Sequence, residues 1–174
     1  LTSYMISKMN KDTMKFHTSS DLLLARDLKE TVCYVAEDYE QEQKNIEANG
    51  KAKETTFKYP DGQVLKLTDL CFKVPEFLFH PHVLGLDATG IQTLLSESIL
   101  ACDEHMQPEL LKNICLGGGN TMFHGFDKRI ENEMKKAFPN NQIATVTTKQ
   151  RGFEAWLGGS ILCQHSSFLK KIIP

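Results

Sequence analysis

The chain has 174 residues, 41% hydrophobic and 24% charged, which suits one compact domain or two small ones sharing an interface. A net charge of -2 gives no broad attraction for nucleic acid or an anionic membrane, and no apolar run nears the roughly 18 residues that cross a bilayer. The 5 cysteines are odd in number and form no CxxC pair, so reduced thiols fit better than a zinc or disulfide framework.

Residue 1 is Leu rather than Met, and Leu1, Tyr4, Met5 and Met9 follow helical spacing from the outset, as expected of a chain continuing from something longer. These opening residues lack a basic segment followed by an apolar signal core. Thr18, Ser19, Ser20 and Asp21 form a helix start, and Leu24, Leu28, Val32 and Val35 make one apolar stripe. Arg26, Lys29 and Glu30 fall on the opposite face. Residues 37–54 are polar and predict a helical tail running into an exposed loop around Asn49 and Gly50.

Phe57 to Tyr59, then Pro60, Asp61 and Gly62, then Gln63 to Leu67 read as strand, turn and strand, because Pro presets φ and Gly accepts unusual backbone angles. Residues 75–90 are broken by Pro75, Pro81, Gly85 and Gly90 and read as loop; within it Phe77, Leu78 and Phe79 fit either burial or an exposed docking element. Ile91, Leu94, Leu95, Ile99 and Cys102 restore a helical stripe, Pro108 opens a short helix, and Asn113 to Leu116 reads as a short buried strand. A helix carrying Ile130, Met134, Ala137 and Phe138 starts at Phe126 and stops at Pro139. Ile143 to Thr147 reads as an edge strand, Lys149 to Gly152 as a loop, and Trp156, Leu157, Ile161 and Leu162 as a final apolar helix. The order predicts an α/β fold with an α+β portion in front.

Leu116-Gly117-Gly118-Gly119-Asn120-Thr121 lies between a predicted strand and helix, where bare backbone amides suit a ligand and also suit a tight structural turn. It is neither a P-loop nor a dinucleotide fingerprint, since no Lys follows and Met122 stands at the last glycine position. Arg26, Lys29 and Glu30 could present two cations and a carboxylate to a polar heterocycle or ribose; the same spacing suits an Arg26–Glu30 surface pair worth only ~0.3 kcal/mol. His80 and His82 flank Pro81 without a carboxylate or thiol at ligand spacing, and Gly158-Gly159-Ser160 lacks the closing glycine of a nucleophile elbow.

Several stretches together resemble the actins and actin-related proteins: Leu1 to Tyr4, Ala25-Arg26-Asp27-Leu28-Lys29-Glu30, Tyr59 to Val64, Pro75 to Pro81, Leu116 to Phe123, and Ala155-Trp156-Leu157-Gly158-Gly159-Ser160. Their order and spacing match along nearly the whole chain. The resemblance implies an actin-like ATPase (ribonuclease H-like) fold, of which this chain is the C-terminal lobe. It divides the chain into an outer subdomain (1–86), an inner subdomain (87–153) and a helix returning toward the other lobe (154–174). It also implies that Arg26, Lys29 and Glu30 line the adenosine side of an ATP site. Gly118, Gly119, Asn120, Met122 and Phe123 would pass beneath the nucleotide as backbone and stacking contacts.

The family's Lys over the adenine is replaced by Gly152, preceded by Arg151, and its usual Tyr is Phe123. A cation over a ring contributes about 0.5–2 kcal/mol, so the resemblance implies affinity lowered a few-fold to about thirtyfold. The phosphate loops, the metal-organising aspartate and the water-positioning residue are expected upstream of residue 1, so this half alone should be inert in hydrolysis. ATP, with a divalent cation such as Mg held mainly by the other half, is the implied cofactor. Other actin-family or actin-binding proteins are the implied partners, with neither nucleic acid nor membrane bound directly. The implied setting is the cytoplasmic cytoskeleton or the nucleus. The alternative is a divergent actin-like scaffold that no longer uses nucleotide; a sugar kinase of the same superfamily is a more distant one.

Overall fold

The computed structural model describes residues 1–12, 18–49, 55–58, 62, 64–67, 69–165 and 168. Helix α1 (Thr2–Asp12) buries Met5 and Met9, as the opening spacing predicts. Helix α2 (Ser19–Val32) opens on a reciprocal cap: the Asp21 N–H donates to Thr18 Oγ1 at 3.2 Å and the Thr18 N–H donates to Asp21 Oδ2 at 2.8 Å. It stops at Val32, short of the predicted Val35, because the next residues bond elsewhere. The Tyr34 N–H donates to the Cys71 carbonyl at 3.1 Å and the Val35 N–H to the His124 carbonyl at 2.9 Å.

The polar stretch after it is a separate helix, α3 (Tyr39–Asn49), rather than a tail of α2; Asp38 Oδ1 starts it by accepting from the Gln41 N–H at 3.0 Å. Of the loop expected around Asn49 and Gly50, Asn49 closes this helix and Gly50 lies outside the described residues. Strands β1 (Thr55–Lys58) and β2 (Val64–Leu67) pair antiparallel from Thr55↔Leu67 to Lys58↔Val64. In the predicted turn, Gly62 has φ +88°, while Tyr59, Pro60, Asp61 and Gln63 lie outside the described residues. Phe57, Leu65 and Leu67 supply the buried face of the hairpin.

A helix that the prolines concealed follows: α4 (Leu70–Glu76), with Pro75 in its last turn. A proline there removes the N–H that would bond to Cys71 four residues back, and the Cys71 carbonyl accepts from Tyr34 instead. The next segment is the 3-10 turn Pro81–Leu84, and Phe79 is buried against Phe126 with ring centroids 5.7 Å apart. Helix α5 (Ile91–Leu100) buries only Ile99 of its predicted stripe, leaving Leu94 exposed.

Helix α6 (Gln107–Lys112) carries Pro108 in its first turn, as predicted. Strand β3 (Ile114–Cys115) pairs parallel with β4 (Thr145–Val146), and a 3-10 turn (Gly119–Met122) and α7 (Phe126–Ala137) run between them. Helix α8 (Glu154–Gln164) closes the described helices, with Trp156 75% and Ile161 57% exposed, so its apolar character is not used among the described residues.

One contiguous core runs from Met5, Met9 and Leu28 through Phe79 and Leu111 to Ile130, Met134 and Ile143. Arg129 crosses it, 2% exposed. Its guanidinium donates to both Glu76 carboxylate oxygens at 3.0 and 2.8 Å, to the Ala36 carbonyl at 2.8 Å and to Glu133 Oε1 at 2.8 Å. The five cysteines are free; burial pushes the Cys33 thiol up to about 12, which leaves it unreactive at neutral pH. No helix of the described residues is long and apolar enough to cross a membrane.

Candidate functional site

The charged edge of α2 faces the glycine turn across a cavity of about 670 Å³. Arg26, Lys29 and Glu30 form one wall, Gly119, Asn120, Met122 and Phe123 the floor, and Gly152 and Phe153 the side leading into α8. Residues more than 120 positions apart in sequence are thereby brought to one place. Gly118 does not line the cavity; its φ of +93°, accessible to glycine, turns the chain so that Gly119 and Asn120 do. A Cβ at Gly119 would meet nothing within 4 Å, so its backbone is open to the cavity.

The three α2 residues are not alike. Arg26 Nε donates to Glu30 Oε1 at 2.9 Å, with side chains 66% and 52% exposed, which is the surface pair that the i, i+4 spacing predicts. Lys29 departs from the expected solvated face. It is 9% exposed, its ammonium 3.7 Å from Glu30 Oε1 and 5.9 Å from the Phe123 ring centroid. The physical reason is tertiary: the ammonium lies over the Phe123 ring, brought there by the turn before α7, and beside Glu30, so the long stem is covered. The hydrogen bond from Arg26 holds the Glu30 carboxyl below its usual range, and the same bond raises Arg26. Glu30 is therefore an acceptor at neutral pH, suited to a hydroxyl or an exocyclic amine.

Phe123 is 5% exposed and offers its ring beneath the Lys29 ammonium, whereas Met122 is half exposed at the floor. At Gly152 an added Cβ would meet Met122 Cγ and Sδ at 3.7 and 3.9 Å, ordinary contact distances, so the place of a side chain is open rather than filled by a neighbour. The sequence reading did not single out Thr2, Lys149, Gln150 or Phe153, which also line the cavity. Adjacency to Gly152 was an available signal for the last three, and Thr2, at the start of α1, lies in the Leu1 to Tyr4 stretch that carries the family resemblance.

The cavity thus sets a carboxylate and two cations on one side, bare backbone below and an aromatic ring behind. The described residues contain no group of three or more His, Cys, Asp or Glu that could hold a metal ion. A second cavity of about 430 Å³ lies between α3, the 3-10 turn at Pro81–Leu84 and α7, lined by Asp38, His80, His82 and Lys136 among others. His80 Nδ1 lies 2.6 Å from Glu76 Oε1, which ties it to the buried Arg129 network, and the exposed His82 meets its ring edge-on at 5.4 Å.

Fold and cavity together define an α/β protein in which a charged helix edge is closed against a glycine turn. The chain belongs to the actin family: the family model described as Actin matches residues 2–173. It is 34% identical over 174 residues to Centractin of Schizosaccharomyces pombe, an alignment covering 99% of this chain and 46% of that protein. To the Actin-like protein of Neurospora crassa it is 35% identical over 173 residues, covering 98% and 46% respectively. The chain thus spans about half the length of the curated relatives it matches.

Proposed function

We propose that this chain is the C-terminal lobe of a two-lobed actin-related protein and supplies the adenosine side of its ATP site. The observation that carries the reading is the single cavity shared by Arg26, Lys29, Glu30, Gly119, Asn120, Met122, Phe123 and Gly152. Glu30 would accept from the ribose or the base, Lys29, held over the Phe123 ring, would line the edge of the pocket, and the Gly119–Asn120 backbone would pass beneath.

In this reading the fold is of the ribonuclease H-like actin ATPase type, with residues 1–86 outer, 87–153 inner and 154–174 returning to the complementary lobe. That lobe would hold the phosphates and most of the divalent cation's ligands. It would also cover α8, whose Trp156, Ile161 and Leu162 are more than half exposed here. The protein would act in assemblies of the cytoplasmic cytoskeleton, with other actin-family proteins as partners and nucleotide stabilising closure of the lobes. A nucleotide-free scaffold is the second reading, favoured by the open place at Gly152.

The two separate by thermal melting of the two-lobed protein with and without MgATP. A ligand that binds only the folded state stabilises it by RT ln(1+[L]/Kd), about 2.7 kcal/mol at a hundredfold excess over Kd. A clear rise in melting temperature is expected, shrinking in Arg26→Ala and Glu30→Ala. No rise in the unaltered protein removes this reading and leaves the scaffold.

A further inference from the structure

One residue that does not line the cavity grips its floor from both ends. The Gly118 N–H donates to the Arg151 carbonyl at 2.7 Å, and the Arg151 side chain reaches back, Nε and Nη2 donating to the Thr121 carbonyl at 3.1 and 2.7 Å. Thr121 closes the ring: its N–H and Oγ1 donate to the Gly118 carbonyl at 3.1 and 2.8 Å. The glycine turn is thus clasped by the main chain and the guanidinium of a single residue on another segment.

That segment is itself knit to the start of α8. Thr148 Oγ1 accepts from the Gln150 N–H at 3.2 Å and bonds to the Glu154 carboxylate, and the Phe153 N–H donates to the Gln150 carbonyl at 2.8 Å. Gln150 and Gly152, on either side of Arg151, do line the cavity. With both Nε and Nη2 committed to Thr121, the fork of Arg151 faces the protein rather than a ligand.

We infer that Arg151 is a positioning residue of the site: it fixes the height of the Gly119–Asn120 backbone and couples that height to the first turn of α8. The inference rests on the proposed nucleotide reading and deepens it. A displacement of the start of α8 is transmitted to the cavity floor through this clasp, and loss of the guanidinium loosens the Thr121 end of the turn, leaving the Gly118 N–H bond to the Arg151 carbonyl and every lining side chain in place.

The test uses the two-lobed protein carrying Arg151→Gln or Arg151→Lys, with Arg26→Ala for contrast. MgATP affinity is measured by calorimetry, and amide hydrogen exchange is followed across residues 117–123 without nucleotide. Arg151→Gln is expected to speed exchange in that peptide and to raise the Kd about tenfold, the scale of one charge-assisted bond. Arg151→Lys falls between, because one ammonium cannot reproduce the two-pronged donation. Arg26→Ala weakens ATP without altering exchange in the turn.

Unaltered exchange and affinity in Arg151→Gln, with the unaltered protein binding ATP, overturn the inference alone. Exchange that accelerates equally in all protected peptides overturns it too, since Arg151 would then be only a general stabiliser. Failure of the unaltered protein to bind ATP removes the proposed function and this inference together.

Discussion

Arg129→Met is expected to cost about 3–5 kcal/mol of folding stability, read as a lower midpoint in equilibrium denaturation. Arg129 and Glu76 are both 2% exposed, and the guanidinium meets both oxygens of the carboxylate. Removing the cation leaves a buried carboxylate whose remaining charged or ring partner is His80, 2.6 Å away. It also strips the Ala36 carbonyl and Glu133 of a donor and the Phe79 ring of a cation 4.6 Å from its centroid. A buried ion pair contributes little over an apolar replacement of similar volume, whereas half of one is costly. The double variant Arg129→Met with Glu76→Leu is therefore expected to be more stable than Arg129→Met alone, although it removes more contacts. A single variant within about 1 kcal/mol of the unaltered protein would contradict this account of the core.

Gly125→Ala is expected to cost about 2–5 kcal/mol, from two causes that act together. Gly125 has φ +82°, where an L side chain adds roughly 1–2 kcal/mol, and its Cβ would stand 2.4 Å from the Val35 carbonyl oxygen, an overlap with backbone worth about 1–3 kcal/mol. The close approach exists because Tyr34 and His124 form a parallel bridge that joins the chain after α2 to the start of α7. Relief of the clash must open that bridge. Gly119→Ala is the control: nothing lies within 4 Å of its added Cβ and its φ is not positive, so stability should stay within about 1 kcal/mol. Equal losses in the two variants would show that the approach of Val35 to Gly125 carries no weight.

Much of the local structure was legible because it is decided within a few residues. The Thr18 and Asp21 cap, the alternation of Phe57, Leu65 and Leu67, and the 3.6-residue spacing of Ile130 and Met134 need no distant partner to be recognised. The misreadings share a different cause. Pro75 reads as a helix breaker, yet the carbonyl it leaves free is taken by Tyr34, some forty positions earlier. The end of α2 is likewise set by Cys71 and His124, which no local pattern reveals.

The site was legible only through resemblance. From spacing alone Arg26 and Glu30 make a solvated pair, and their exposure agrees with that description as far as it goes. What spacing does not contain is the turn opposite them. Burial of Lys29 is likewise absent from the spacing, which puts it on the polar arc of Arg26; it follows from Phe123, which tertiary placement brings beneath its ammonium. Arg151 was noted only as the neighbour of Gly152; its bonds to Thr121 follow from tertiary placement.

The most direct measurement of the central claim is photolabelling of the two-lobed protein with 8-azido-ATP, followed by peptide mapping, with unlabelled ATP as competitor. The base should carry the label onto Met122 and Phe123, onto the segment 149–153, or onto the α2 peptide with Arg26, Lys29 and Glu30, and ATP should suppress it. Competed label concentrated instead on Asp38 to Gln43, His80 to Val83 and Lys136, around the cavity beside the Arg129 network, would contradict the account, as would label that ATP does not displace.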